Sequence, residues 1–470
     1  MLRRPQLWIG TGLIAAVVSM VFALLYVGGN VNPRGNLRDL PVALVNADTG
    51  ADAGGRRVNL GEQVVAGIEK AAQGDKSIDW QLVSREEADK RLGRGKVFGA
   101  LVIPRDFSAT VTALAAPQPP AGKPAPPVLT VLTNQAAGSI GSSMSSQAAQ
   151  KAAHAASAQI GQQLLQQAAA QKTPLPTAAQ LKLADPVTVT VADGHPVGSR
   201  SAMGLSAFYY ALVLIVCGML GANVVNSQVD TALGYVHTDF GPFRKREPVQ
   251  HTSRVRTLAI GMALMLGLSV VMGTLVEVAT VAVLDMDASH LGLLWLYSVA
   301  TIAVVGIGSL ALFAAFGTPG MLLATIVFIA MAVPSSGATV PLQALPGFFR
   351  ALAEFEPLRQ ITEGLRSLLY YGAQADAGLT RAWSAMGVAF VAALAFGFAV
   401  TRLYDVRGLH RIPHPAAAGS AAPAATGLAA GSTAAGSPES APADEAPAEA
   451  ATAGDAPEAA SAEAEAPSKA

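Results

Sequence analysis

The sequence predicts an α-helical polytopic membrane protein with six transmembrane helices, an inserted extracytoplasmic α/β domain and a disordered C-terminal tail. Three observations carry that prediction. Of the 470 residues 51% are hydrophobic and only 14% charged, and the mean hydropathy of +0.40 is too apolar for a soluble chain of this length. Charge-free runs long enough to cross a bilayer recur along the chain, interrupted once by a long polar region with strand and helix patterning. Formal charge is zero overall, but eight acidic residues and one lysine follow Arg411, so the rest of the chain is basic by seven.

A crossing helix needs about 20 mainly apolar residues. Residues 7–27, 203–225, 257–284, 291–316 and 383–403 reach that length. A sixth run, 319–333, rises only about 22 Å at 1.5 Å per residue. The charge-free sequence after it, "PSSGATVPLQALPGFF", predicts a broken, re-entrant segment at the membrane edge. The first run follows "MLRRP" but lacks a small-residue cleavage site, which predicts an uncleaved anchor. Short loops rich in Lys and Arg stay cytoplasmic. Arg3 and Arg4 precede the first run, and Arg402, Arg407 and Arg411 follow the last. Six spans with both termini inside satisfy these charges, placing residues 30–200 and the acidic "DMDASH" (285–290) outside. Gly317 then lies inside, with residues 236–256.

The boundaries follow: 1–29 for the start and first span, 30–200 for the outer domain, 201–411 for the five-helix membrane domain, and 412–470 for the tail. Within 30–200, "VALV" (42–45) reads as a strand running into a turn of Asn46, Asp48 and Gly50. A helix over 59–72 places Leu60, Val64, Val65 and Ile68 on one face. "IDWQLVS" is a strand; the next helix starts at Ser84 with Glu87 at the capping-box position, and "VFGALVIP" is a further strand. "APQPPAGKPAPP" (116–127) is an extended linker, and "PVLTVLTN" resumes strand character. Residues 134–172, mostly Ala, Gln and Ser, form a long helix whose weak apolar face must lean on a partner. "DPVTVTVADGHPVGS" is the last strand. The tail, Ala/Pro/Glu-rich without an aromatic residue, cannot bury enough surface to fold.

No chemistry-bearing motif emerges, and the chain is expected not to be an enzyme. No P-loop, nucleophile elbow or metalloprotease pattern occurs, the seven histidines are scattered, and Cys217 stands alone in an apolar run. No cofactor or metal site is therefore expected on this chain. His154, His195, His251 and His290 read as ordinary surface residues. Glu277 is the one ionisable residue inside a span. An intramembrane carboxylate suggests a place on a transport pathway, whereas its position seven residues from the outer end suits an interfacial or packing role; both readings stand. The segment 355–372 alternates Leu358, Ile361, Leu365, Leu368 and Leu369 with Arg359, Glu363 and Arg366. It predicts an amphipathic helix against the outer face of the bilayer or the bundle, as connector or gate.

The order of one cytoplasmic-start span, a large outer domain, five further spans and an outer "PLRQITEGLRSLLYYG" resembles a type-2 ABC transporter permease. "LPVALVNADTGADAGGRRVNLGEQVV" followed by "GKVFGALVIPRDFSATV" is similar to the amino-terminal region of the YhgE/Pip (phage infection protein) group of such membrane proteins. The resemblance covers the chain to Arg411. It implies a permease subunit of an ABC exporter in the cell membrane, working as a homodimer or heterodimer of permease chains. ATP would be bound by a separate cytoplasmic ABC ATPase subunit, meeting the loop between the second and third spans. That position holds 236–256, with five basic residues in thirteen positions. Phe240, Phe243, Arg244, Lys245, Arg246, Arg254 and Arg256 are the implied coupling residues. Two alternatives stay open: a basic loop lying on the anionic inner leaflet, and a non-transporting envelope protein such as a secretion-apparatus accessory subunit or surface receptor.

Overall fold

In a computed structural model of the chain, residues 5–53, 56–115, 126–170, 177–236, 238–240, 243–245 and 247–409 are described. The tail, most of the Pro-rich linker, Arg3, Arg4, Arg246 and Arg411 lie outside them. After the apolar helix α1 (Pro5–Gly28), the chain enters an α/β domain. It comprises β1 (Leu40–Asn46), the hairpin β2 (Ala51–Ala53) and β3 (Arg56–Val58), α2 (Leu60–Ala72), β4 (Ile78–Leu82), α3 (Arg85–Leu92), β5 (Gly99–Ile103) and α4 (Phe107–Ala115). Then follow β6 (Val128–Thr133), α5 (Ser139–Ala170), α6 (Thr177–Ala184) and β7 (Thr188–Asp193).

The five-stranded sheet has the order β4-β1-β5-β6-β7, parallel except where β5 meets β6. Alternate residues face opposite sides, as the strand period demands. Leu44, Leu101, Ile103 and Val131 pack beneath α2, α4 and α5, while Ala43, Val45, Ala100 and Val102 meet Ala88 and Leu92 of α3. The partner that α5 was expected to need is this sheet. Ser145, Ala149, Ala153, Ala156, Ile160 and Leu164 form its buried side, and residues this small let a helix without a strong apolar stripe sit close to the strands. The expected cap at Ser84 is present, its hydroxyl accepting from Glu87 N, and the Asn59 side chain caps α2 by accepting from Glu62 N.

Connections diverge to either side of β1, and there α2 and α4 begin beside its carboxyl end. In open α/β sheets such a switch point is a common ligand crevice. Here the chain fills it with its own Asp48. That carboxylate accepts from Gly61 N and Ser108 N at 3.0 Å each, and from the Ser108 hydroxyl in a short bond. Ser108 in turn accepts from Leu60 N at 2.8 Å. A Cβ on Gly61 would lie 2.5 Å from Asn46 Oδ1, so the seat requires glycine. The turn seen in "LVNADTG" is thus a structural staple.

Among the described residues five helices are long and apolar enough to cross a membrane, and the chain is a multi-pass membrane protein on that composition. These are α7 (Ser206–Ala232); α8 (Arg254–Glu277), continued by a π-helical turn at Val278–Val283; α9 (Leu291–Phe316); the compound span Thr318–Ser335; and α14 (Leu379–Val406). The compound span joins α10 (Thr318–Thr325), a π-helical turn at Ile326–Ala330 and α11 (Ala332–Ser335). Between α7 and α8 lies the hairpin β8 (Thr238–Phe240) and β9 (Phe243–Lys245). In α1 the apolar stretch Gly12–Gly28 is shorter than the five.

The segment after Pro334 is broken as expected, into α12 (Gly347–Leu352) and α13 (Pro357–Tyr370). α13 is amphipathic, but it is sunk into the bundle, with Leu358, Arg359, Gln360, Ile361 and Leu365 all buried. Fully buried Tyr297 of α9 donates its hydroxyl to Ile361 O at 3.1 Å and stands edge-on to Trp383. Gly364 permits this closeness, since a Cβ there would lie 2.3 Å from the Tyr297 oxygen.

Candidate functional site

The expected site residues separate to two ends of the bundle. α7 starts beside the α/β domain, where the Ser206 hydroxyl bonds that of Tyr370 and His195 bonds Tyr370 O at 2.9 Å. Its 27 residues carry the chain about 40 Å to the far end. There β8 and β9 pair antiparallel, with Phe240 opposite Phe243 and Arg244 opposite Asp239. Lys245 pairs with Thr238. The hairpin's base is clamped: Gln250 N donates to Leu233 O at 3.1 Å, and the Tyr235 hydroxyl to Gln250 O at 3.2 Å.

Arg254 and Arg256 open α8, capped by Ser253. Arg256 is exposed. Arg254 is engaged within the chain: its guanidinium lies 5.1 Å over the Tyr404 ring and donates to Leu409 O at 2.7 Å. Asp405 of α14 accepts from the Arg254 and Val255 amides at 2.9 and 3.1 Å, supplying negative charge where a helix N-terminus favours it. Tyr404 donates to Ala315 O at the end of α9. The start of α8, the end of α14 and the end of α9 are thus tied to one another just beyond the hairpin. A cavity of about 850 Å³ opens at this end, lined by Asn226, Arg254, Thr257 and Tyr404 among others.

Glu277 ends the α-helical part of α8, directly before its π-helical turn. It is half-buried, and its Oε2 is buried without a hydrogen-bond partner among the described residues. π-turns interrupt helices frequently at functional sites, so packing and pathway roles both remain compatible with this geometry.

At the end beside the α/β domain is a polar cleft of about 640 Å³, which sequence reasoning missed. Arg94 and Lys96 of the domain face Arg359, Glu363 and Arg366 of α13, with Asp376 and Arg381 ahead of and within α14. Five cations thus share it with two carboxylates. Arg94 pairs with Asp376 at 2.9 Å. Arg359, its side chain 8% exposed, bonds Glu354 at 3.1 Å, Glu363 at 3.0 Å and Ala353 O at 3.0 Å, and Glu354 also takes Arg381 at 2.9 Å. Tyr371 lines the cleft with its hydroxyl buried, and burial pushes that phenol up from its ordinary pKa. His195, expected to be an ordinary surface residue, joins the domain to Tyr370 and stacks beside Tyr371 at 5.3 Å. These residues come from segments 94–96, 359–366 and 376–381, and no local motif links them.

Among the described residues no three His, Cys, Asp or Glu side chains are grouped to hold a metal ion. Cation-rich, without a grouped nucleophile and base, the cleft can attract and orient an anion. The architecture defines a multi-pass membrane protein with an α/β domain inserted ahead of its five long apolar helices. The chain belongs to the family described as "Protein of unknown function (DUF3533)", which matches residues 11–389. No curated protein and no solved structure shows significant similarity to it.

Proposed function

We propose that this chain is the membrane-spanning permease subunit of an ABC exporter, driven by a separate cytoplasmic ATPase. In this reading α1 is a sixth span, both termini and the β8–β9 hairpin are cytoplasmic, and residues 30–200 lie outside the cell membrane. Two permease chains form the working unit. ATP belongs to the partner ATPase.

The clamped hairpin at the end remote from the α/β domain is the observation that carries the reading. A loop that only satisfied orientation needs no folded base, whereas a coupling element must pass force to the spans. The chain does this through Asp405 on the start of α8 and through Tyr404 on the end of α9. Paired Phe240 and Phe243 supply the aromatic anchors that interfaces favour, and Arg244, Lys245, Arg246 and Arg256 supply register by charge. The resemblance to type-2 permeases supports the same position for the ATPase.

Substituting Phe240→Ala with Phe243→Ala is expected to abolish co-purification of the ATPase while membrane insertion is unchanged. Retention of the partner by the double variant, or absence of any ATPase from the unmutated preparation, overturns the assignment and favours a non-transporting envelope protein. Single cysteines at Asp75 and Lys245 test orientation independently: an impermeant maleimide should label the first in intact cells and not the second.

A further inference from the structure

A second cavity, of about 330 Å³, adjoins the polar cleft along α14. The cleft is lined by Gly378, Thr380, Arg381 and Ser384; the cavity by Ala385, Ala389, Ala392 and Phe396. On the other sides it meets Val304 and Gly308 of α9, Val327 and Phe328 of the π-helical turn, and Phe355 and Gln360 at the start of α13. Apart from Thr301 and Gln360 its walls are apolar. Phe355 at the rim is 87% exposed, and Val327 and Phe396 are also exposed, so the slot opens sideways from the bundle, where the bilayer would lie.

Three observations say what fits. From Ala385 to Phe396 the slot runs about 16 Å along the helix, roughly half of the ~30 Å hydrocarbon core and therefore about one leaflet. Its upper end adjoins the cation-rich cleft, so an apolar chain and an anionic head would be satisfied in the order they have in a leaflet. Among the described residues neither Lys96 nor Arg366 has an acidic partner, and Arg366 Nε is buried and unbonded. Gln360 is 6% exposed; its Nε2 donates to Glu354 O, while its Oε1 lacks a partner and lines the slot.

We infer that slot and cleft together bind one anionic phospholipid of the leaflet beside the α/β domain, its acyl chain in the slot and its phosphate drawn to the cations of the cleft. The site goes beyond the permease reading and holds whether or not the chain transports.

The test uses the full chain in nanodiscs of dioleoyl-phosphatidylglycerol or dioleoyl-phosphatidylcholine, with lipid retained after detergent extraction counted by native mass spectrometry. The unmutated protein is expected to keep one phosphatidylglycerol, favoured over phosphatidylcholine by about tenfold, equivalent to about 1.4 kcal/mol. Ala389→Trp, at an exposed lining position, should lose retention of both lipids. Lys96→Gln combined with Arg366→Gln should retain lipid but bring the preference close to one. Unchanged retention in Ala389→Trp, no preference in the unmutated protein, or a protein dimer in place of bound lipid that Ala389→Trp dissociates would each overturn the proposal. Should Ala389→Trp lose its cooperative melting transition, Ala392→Phe blocks the same slot.

Discussion

The α/β domain and the α12–α13 region of the bundle handle buried polarity in opposite ways. In the domain, polar side chains close on one another: Asp48 satisfies four donors, from Gly50, Gly61 and both groups of Ser108, and Ser108 also accepts from Leu60 N. Of the ten buried side-chain atoms left without a partner among the described residues, seven lie between Gln343 and Tyr371. That short stretch also holds the buried Arg359 with its two carboxylates. Fully connected networks rigidify a fold, whereas half-satisfied ones are costly in a low-dielectric interior unless something completes them. The polar groups around Asp48 are therefore closed within the chain, whereas those around α13 are not.

The sharpest way to break this contrast is Arg359→Ala. It strands the half-buried Glu363 of α13, whose partial exposure lowers the cost of an unpaired buried charge, and the expected loss is about 2–4 kcal/mol, read as a lower unfolding midpoint of the purified protein in detergent. A shift near zero would mean that solvent reaches the cluster freely. Asp48→Ala should cost about 2–4 kcal/mol by stranding the donors of Gly61 and Ser108. Amide exchange ought to show it confined to α2 and α4, with the bundle unaffected; faster exchange throughout the bundle would deny the domain its independence. Gly364→Ala overpacks α13 against Tyr297 and Ala382, for an expected loss of about 1–3 kcal/mol in the same melting assay. Arg94→Ala removes a half-exposed pair with Asp376 and an exposed bond to Gln374, and should change stability by less than about 1 kcal/mol. A larger drop would reveal the domain–bundle junction as a main source of stability.

Much of the architecture was legible because its signals are local. Charge-free runs marked the membrane helices, Ser84 with Glu87 marked the start of α3, and Leu60, Val64, Val65 and Ile68 marked the buried face of α2. The β2–β3 hairpin, α4 and α6 were not seen, each being too short to carry a clear periodic pattern of its own. α13 was recognised as amphipathic but set at a surface. Its polar face turns inward because Glu354 and Arg381, from neighbouring segments, neutralise it, and periodicity within one helix cannot register that. The π-helical turns after Glu277 and before Met331 left no compositional trace. The candidate coupling loop was found by charge density, although Arg254 proved to be engaged with Tyr404 and Leu409. The cleft was invisible because its cations are brought together by topology alone.

The junction between domain and bundle also fixes an order of biogenesis. Every strand of the main sheet lies before residue 194, so the domain can complete its hydrogen-bonded ladder while the later membrane helices are still being synthesised. Its ties to the bundle join residues far apart in the chain: Arg94 with Gln374 and Asp376, and His195 with Tyr370. The ribosome delivers those bundle partners only after four of the long apolar helices have been made. A finished domain then serves as a template against which α13 and the start of α14 dock, and quality control that senses an undocked domain would be reading the last step of assembly.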